Sequence, residues 1–263
     1  MSSAARVAPA AVAAAAMIAT PLRRKGRRAG LASLVVGGLA ASSLGAATRR
    51  WGPTRSVGAL AATAAGTLAV ERVGTATGIP FGRYAYTGIL RPTVGEVPAV
   101  VPLAWFAMAV PARETAHGAL GARSTPLRRI VLGAALLTAW DLFLDPQMVG
   151  EGYWRWARPG RYRGIPLGNY LGWFCTGLAV MAVLERLLPP DRDRADTELV
   201  GQYAFVTGMS SLGFAAFFGD RVVAAVGGAA SLPAAGLALW RLRRDGRDGR
   251  DGRDGRDGRD GRG

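Results

Sequence analysis

The side chains best equipped for chemistry gather in one stretch, Trp140 to Trp156, which reads WDLFLDPQMVGEGYWRW and follows the apolar run IVLGAALLTA. Asp141 and Asp145 are four apart, the spacing that sets two side chains on one face of a helix, one turn from each other. Two carboxylates that close in a low-dielectric site do not both ionise readily, and one that keeps its proton near neutral pH is a usable proton donor. An acid beside lipid-facing residues is expensive unless it is paired, hydrated or used. The bland alternative is that Asp141 pairs with an arginine of a neighbouring helix. Asp145, whose helical geometry Pro146 disfavours, then marks the helix end.

Three other stretches combine polar chemistry with an apolar setting. Glu71 and Arg72 end an apolar run and diverge by about 100° on a helix, so they do not pair with each other. Taken alone they read as two solvated charges at a helix end. The segment after them, VGTATGIPFGRYAYTG, adds Gly74, Gly78, Pro80 and Gly82 with the aromatics Phe81, Tyr84 and Tyr86; non-helical backbone of this kind is tolerated at membrane depth only where it lines a cavity or is covered by protein. In VPAVVPLAWF, Pro98 and Pro102 kink or delay a helix and Trp105 reads as core or pocket wall. Finally, Glu151, Tyr153, Trp154 and Trp156 are followed by GIPLGNYLGWF, with Asn169, Tyr170 and Trp173. Each aromatic by itself reads as an interface anchor. As a group beside acids they suit a reaction through a carbocation, because aromatic faces stabilise a cation once water is excluded.

Scarcity narrows the chemistry. With Cys175 and His117 as the single cysteine and the single histidine, neither a disulfide framework nor a Cys/His metal cluster can be assembled, and any metal would need carboxylates. Cys175 lies in an apolar run and reads as inert filler, and His117 reads as a loop residue. The formal charge of +15 could suggest nucleic acid, but the basic residues cluster between apolar windows, where membrane proteins keep them against anionic headgroups. The expected environment is a lipid bilayer, with no nucleic-acid partner and a multi-pass place in the cell membrane.

These residues need elements to hold them. Apolar windows at about 29–47, 56–73, 97–112, 130–145, 169–188, 199–218 and 222–240 have the length of membrane spans. They predict an all-α, polytopic transmembrane helix bundle of about seven spans, with six to eight defensible. Glycine, alanine and serine crowd the early windows, which lets helix backbones approach closely. Residues 1–28 form an Ala-rich segment with a basic cluster, read as an interfacial or short first helix, and 29–243 form the membrane domain. The tail, 244–263, repeats Arg-Asp-Gly six times and reads as a flexible, charge-alternating coil. The acid-rich run DRDRADTE at 191–198 reads as a solvated connector.

The blocks ERVGTATGIPFGRYAYT, VPLAWF, TAWDLFLDPQMV, GYWRW and GIPLGNYLGWF resemble, in order, the signature blocks of the membrane carotenoid biosynthesis proteins, the family that includes carotenoid 1′,2′-hydratases and bisanhydrobacterioruberin hydratase. The resemblance covers roughly residues 68 to 220. It implies addition of water to the terminal C1′–C2′ double bond of an acyclic carotenoid end without a redox cofactor, and other carotenoid-pathway enzymes as possible partners. That chemistry needs an acid, a stabilised tertiary cation and a base-held water. On the residues alone, Asp141 is the expected proton donor, with Asp145 or Glu71 as its partner or the water-orienting base. Tyr84, Trp105, Trp140, Trp154, Trp173 and Asn169 are the expected substrate-binding wall. Two rivals stand beside this reading. The acid-x-x-x-acid form of DLFLD is also what membrane prenyltransferases use to hold a diphosphate through magnesium, and intramembrane carboxylates serve carotenoid-binding or transport proteins without catalysis.

Overall fold

The structure is a computed structural model that describes residues 3–190 and 194–257. The first three residues of the acid-rich connector and the last six of the repeat tail lie outside the described residues. Among the described residues, eight α-helices follow one another: α1 (Ser3–Ala19), α2 (Ala29–Trp51), α3 (Pro53–Thr77), α4 (Val100–Leu120), α5 (Pro126–Glu151), α6 (Leu167–Leu187), α7 (Thr197–Ala216) and α8 (Arg221–Asp257).

Local chemistry sets several of their limits. α3 begins with Pro53, which needs no N–H there, and stops at Gly78, whose φ of 84° few other residues adopt. The Thr125 hydroxyl caps α5 by accepting the Arg128 N–H at 3.3 Å, Pro126 opens the helix, and Gly152 closes it. Asp196 caps α7 through the Leu199 N–H.

α4 is the axis of the bundle. It packs against α2, α3, α5, α6, α7 and α8, and every residue from Ala104 to Ala119 is buried. His117, expected in a loop, therefore sits inside α4 and is buried. At that end of the bundle the arginines find their acids: Arg113 pairs with Glu114 at 2.8 Å and with Glu185 at 3.2 Å, Arg129 also pairs with Glu185, and Glu114 accepts the Asp196 N–H at 2.8 Å. Small residues bring the early helices together as expected. A Cβ placed on Gly38 of α2 would lie 2.7 Å from the Pro9 carbonyl oxygen of α1.

The expected seven spans are not what forms. Among the described residues, three helices are long and apolar enough to cross a membrane: α2, α6 and the Arg221–Asp245 part of α8. That is the frame of a multi-pass membrane protein. The other four windows do form helices, but these run on into charged residues. α3 carries Glu71 and Arg72 in a stretch rich in alanine, glycine and threonine; α4 carries Arg113 and Glu114; α5 carries Arg128, Arg129 and three acids; α7 carries Glu198 and Gln202. Freedom from charge over a short window is not enough, since a membrane crossing needs a continuous stretch of about 18 residues or more that is strongly apolar throughout. In α4 the apolar residues face protein on all sides.

Asp145 does not end its helix either. α5 continues through Pro146 to Glu151, so Glu151 is its last residue and not part of a loop. A proline at this position removes the N–H that would bond the Leu142 carbonyl. The Tyr162 hydroxyl supplies that bond at 3.1 Å. α4 repeats the device: Pro111 frees the Ala107 carbonyl, which accepts from Ser43 Oγ at 2.9 Å and Gln202 Nε2 at 3.0 Å. Cys175, expected as buried filler, is exposed on α6.

Between the helices lie two small antiparallel ribbons. β1 (Tyr84–Tyr86) pairs with β4 (Trp154–Trp156), setting Tyr84 opposite Trp156 and Tyr86 opposite Trp154. β2 (Thr93–Val94) pairs with β3 (Val97–Pro98) just before α4. The first ribbon joins the chain after α3 to the chain after α5, and both helices end beneath it.

Candidate active site

Glu71 is not a solvated helix end. It is buried at the C-terminal part of α3, while its neighbour Arg72 is exposed. Its Oε2 accepts from the Tyr84 hydroxyl and, at 2.8 Å, from the Tyr86 hydroxyl; its Oε1 accepts from Trp105 Nε1 at 3.3 Å. Residues two apart on a strand share a face, which is why β1 turns both tyrosines on the same carboxylate. Burial, with the Glu71 carboxylate beside them, holds both hydroxyls well above the usual tyrosine range, so they remain donors.

The second acidic centre lies on α5. Asp141 and Asp145 do share one face, and they are bridged from α6: Asn169 Nδ2 donates to Asp141 Oδ2 at 3.1 Å and also to Asp145 Oδ2. Trp154 Nε1 donates to Asp145 Oδ1 at 3.1 Å. Asp141 is 0% exposed and its Oδ1 has no partner among the described residues. Both carboxyl groups stand on the one Asn169 amide nitrogen, which brings them close together. Such a contact is attractive only when one proton is held between them. None of the ion pairs among the described residues includes Glu71, Asp141 or Asp145, so Asp141 does not take the arginine partner that the bland reading gave it.

Aromatic rings fill the space between these centres. Trp105 of α4 and Trp173 of α6 stack with centroids 3.9 Å apart and planes 12° from parallel, and Trp140 meets Trp173 edge-on at 6.1 Å. Tyr84 lies 5.1 Å from Trp156, and Tyr86 lies 5.7 Å from Trp154. Close approach of the 78–82 loop to α6 depends on Gly172, where a Cβ would stand 2.7 Å from the Pro80 oxygen and 2.9 Å from the Phe81 ring.

These walls enclose a cavity of about 260 Å³. Glu71, Tyr84, Trp105, Trp140, Asp145, Trp154, Asn169 and Trp173 all line it; Asp141 does not, and stands behind Asp145 and Asn169. The cavity continues along apolar side chains of α1, α2 and α7, including Met17, Leu39 and Met209. Arg28 is its one basic lining residue among those described, and Glu151 holds it at 2.6 Å.

The family model for carotenoid biosynthesis proteins matches residues 29–236, most of the chain and every element of this cavity except the end of α1 and its loop. The chain belongs to the carotenoid biosynthesis protein family. Over 119 residues it is also 34% identical to the bisanhydrobacterioruberin hydratase of Haloarcula japonica, an alignment that covers 44% of this chain and 40% of that relative. No solved structure matches it.

For this carotenoid biosynthesis protein, the lining residues missing from the expected substrate-binding wall include Tyr86 and Trp156, named only within their stretches, and Arg28. Tyr86 had a usable signal, its place two residues after Tyr84 in a short extended run. Trp156 follows from Trp154 by the same rule. Arg28 had none: its link to Glu151 joins residues 123 positions apart.

Proposed function

We propose that this protein is a hydratase that adds water across the terminal C1′–C2′ double bond of an acyclic carotenoid end. The family and the partial likeness to a named hydratase support the substrate class. The single observation that carries the reaction type is the pairing of two acidic centres, Glu71 and Asp145, in one aromatic-walled cavity whose lining has no free cation among the described residues. Carboxyl oxygens left unneutralised favour a bound species that becomes positive as it reacts.

In this reading Asp145 is the acid, and Asp141 behind it shares the proton and positions it. The alkene π pair takes the proton at C2′ to form the new C–H bond, leaving the positive charge on the tertiary carbon C1′. The faces of Trp105, Trp140 and Trp173 stabilise that cation in the absence of bulk water. A water adds to C1′ through its oxygen lone pair, and Glu71, oriented by Tyr84 and Tyr86, takes the proton it sheds. Transfer of that proton from Glu71, by way of water, to the Asp141–Asp145 pair restores both centres, so the net change is one water per end.

The magnesium-dependent prenyl-transfer rival finds less support. Asp141 and Asp145 are engaged by Asn169 and Trp154, and a diphosphate in this cavity would face carboxylates with Arg28 already paired. The test is expression in a host that makes acyclic carotenoids, followed by mass analysis of its pigments. A gain of one water per acyclic end is expected. Release of diphosphate and a gain of a prenyl unit would favour the rival, and an unchanged pigment profile with the protein in the membrane would favour a non-catalytic role.

A further inference from the structure

A cavity of about 260 Å³ is smaller than the pockets of about 300–1,000 Å³ that enclose drug-sized ligands, so it holds the end of a long chain and not its whole length. The remainder has to leave through a mouth, and the lining shows where that mouth is. Among the described residues, four that line the cavity are exposed: Ile18 at 53% near the end of α1, Leu22 at 71% in the turn after it, Leu212 at 54% in the last turns of α7 and Phe217 at 59% just past it. All four are large and apolar. The polar lining residues Thr20, Gln147, Tyr153 and Ser210 are buried or half-buried, and Arg28 and Glu151 neutralise each other. The interior is therefore mixed, but its rim is hydrocarbon.

Behind the rim runs a slit between α2 and α7 with two fixed limits. At one, Gln202 of α7 donates through Nε2 to the Leu39 and Ala107 carbonyls at 3.3 and 3.0 Å and to Ser43 Oγ at 2.9 Å, tying α7 to α2 and α4. At the other, Arg28, just before α2, lies over the Phe218 ring at 5.5 Å. From Gln202 to Gly213 α7 runs about 16 Å. Over that length Val206, Met209 and Gly213 of α7 and Ala32, Val36 and Leu39 of α2 line the cavity, at spacings of three and four residues that keep to one face of each helix. α2 is one of the helices that can cross the membrane, and the exposed Arg23, Arg24, Lys25 and Arg27 precede it, which sets its first residues just below the headgroups. The slit and its apolar rim therefore face the acyl layer.

We infer that the cavity opens sideways into the bilayer between α1 and α7, and that a long acyclic polyene enters end first from the acyl layer, keeping its distal length in lipid while its terminal alkene stands at Asp145. This rests on the reading of the cavity as a carotenoid site. Passage through water would expose the whole chain, whereas the lateral route never takes it out of hydrocarbon.

The test uses the full chain with a bulky, non-fluorescent maleimide on a cysteine at the mouth, Ile18→Cys or Leu212→Cys, each combined with Cys175→Ser. The label is added to folded protein, and two positions on separate elements keep the test standing if one variant fails to fold. Wild type labelled at Cys175, exposed on α6 and outside the lining, is the control. Two probes are compared, a long acyclic polyene and a short branched alkene with the same end group. The rise in unfolding midpoint with ligand concentration gives each affinity without turnover. Either mouth label should weaken the polyene at least about tenfold, the worth of about two methylene groups kept out of the slit, and leave the short alkene within about twofold. The Cys175 label should change neither. Undiminished polyene affinity with both mouth labels, or equal loss of both probes, would overturn the route. In phosphatidylcholine vesicles, a bimane on either mouth cysteine should be quenched more by a nitroxide on the acyl chain than by aqueous iodide; the reverse order would put the mouth in water and equally overturn it. A chain-length effect in a protein that forms no hydrated product would overturn the hydratase reading and leave the route standing.

Discussion

At the scale of single residues, the two acids on α5 differ by one fact: Asp145 lines the cavity and Asp141 does not. Asp145→Asn removes the proton that the proposed reaction delivers and keeps the volume. It is expected to lower the rate by about 10²- to 10⁴-fold, the usual worth of a positioned acid, when pigment conversion is followed in membranes with equal amounts of protein. Asp141→Asn leaves the acid in place without its partner and should cost less. A variant series in which Asp141→Asn is the more damaging would reverse the two roles. The common face of this pair was legible in the sequence, because spacing on a helix is a local property. That Asn169 bridges both carboxyl groups was not, since nothing in GIPLGNYLGWF states which residues of another helix it meets. Glu71 was misleading in isolation for the same reason. Its three donors come from β1 and α4, and only their arrival turns a charged helix end into a buried centre.

At the scale of elements, two close fits hold the site. Pro146 lets Asp145 and Glu151 stay on one helix only because the Tyr162 hydroxyl takes the carbonyl the proline leaves free. Tyr162→Phe should destabilise the fold by about 1 kcal/mol, visible as a lower midpoint in thermal denaturation in detergent. Gly172→Ala is expected to be more severe. Its methyl would meet the Pro80 backbone oxygen at 2.7 Å, which cannot move without carrying the 78–82 loop and Tyr84 with it, and overpacking of this kind costs about 1–3 kcal/mol. A fully active, equally stable Gly172→Ala protein would mean that the loop does not need its present contact with α6. The helices themselves were legible, from apolar windows bounded by proline, glycine and capping residues. The β1–β4 ribbon was not, because two three-residue strands about 70 positions apart carry no signal of their pairing. The end of α5 was misread at Pro146, where a tertiary hydrogen bond overrides a local preference.

At the scale of the whole molecule, the bundle separates its polar chemistry into two ends. One holds the aromatic cavity and its acids; the other holds the paired network of Arg113, Glu114, Arg129 and Glu185 that ties α4, α5 and α6 together. Glu185→Gln would leave two buried guanidinium groups short of a partner, and is expected to cost about 2–3 kcal/mol of stability, below the full penalty of a completely buried pair because Glu185 is partly exposed. The rate per folded molecule should stay the same, since no member of this network lines the cavity. Membrane character was legible in composition and the number of spans was not, because the apolar windows do not say how much of a helix faces protein instead of lipid. The central claim, that water is added at a carbocation formed in the aromatic cavity, is tested most directly by incubating membranes containing the protein with an acyclic carotenoid in water enriched in heavy oxygen. One labelled hydroxyl per converted end, lost in Asp145→Asn, is predicted; conversion without label, or label undiminished in Asp145→Asn, would contradict it.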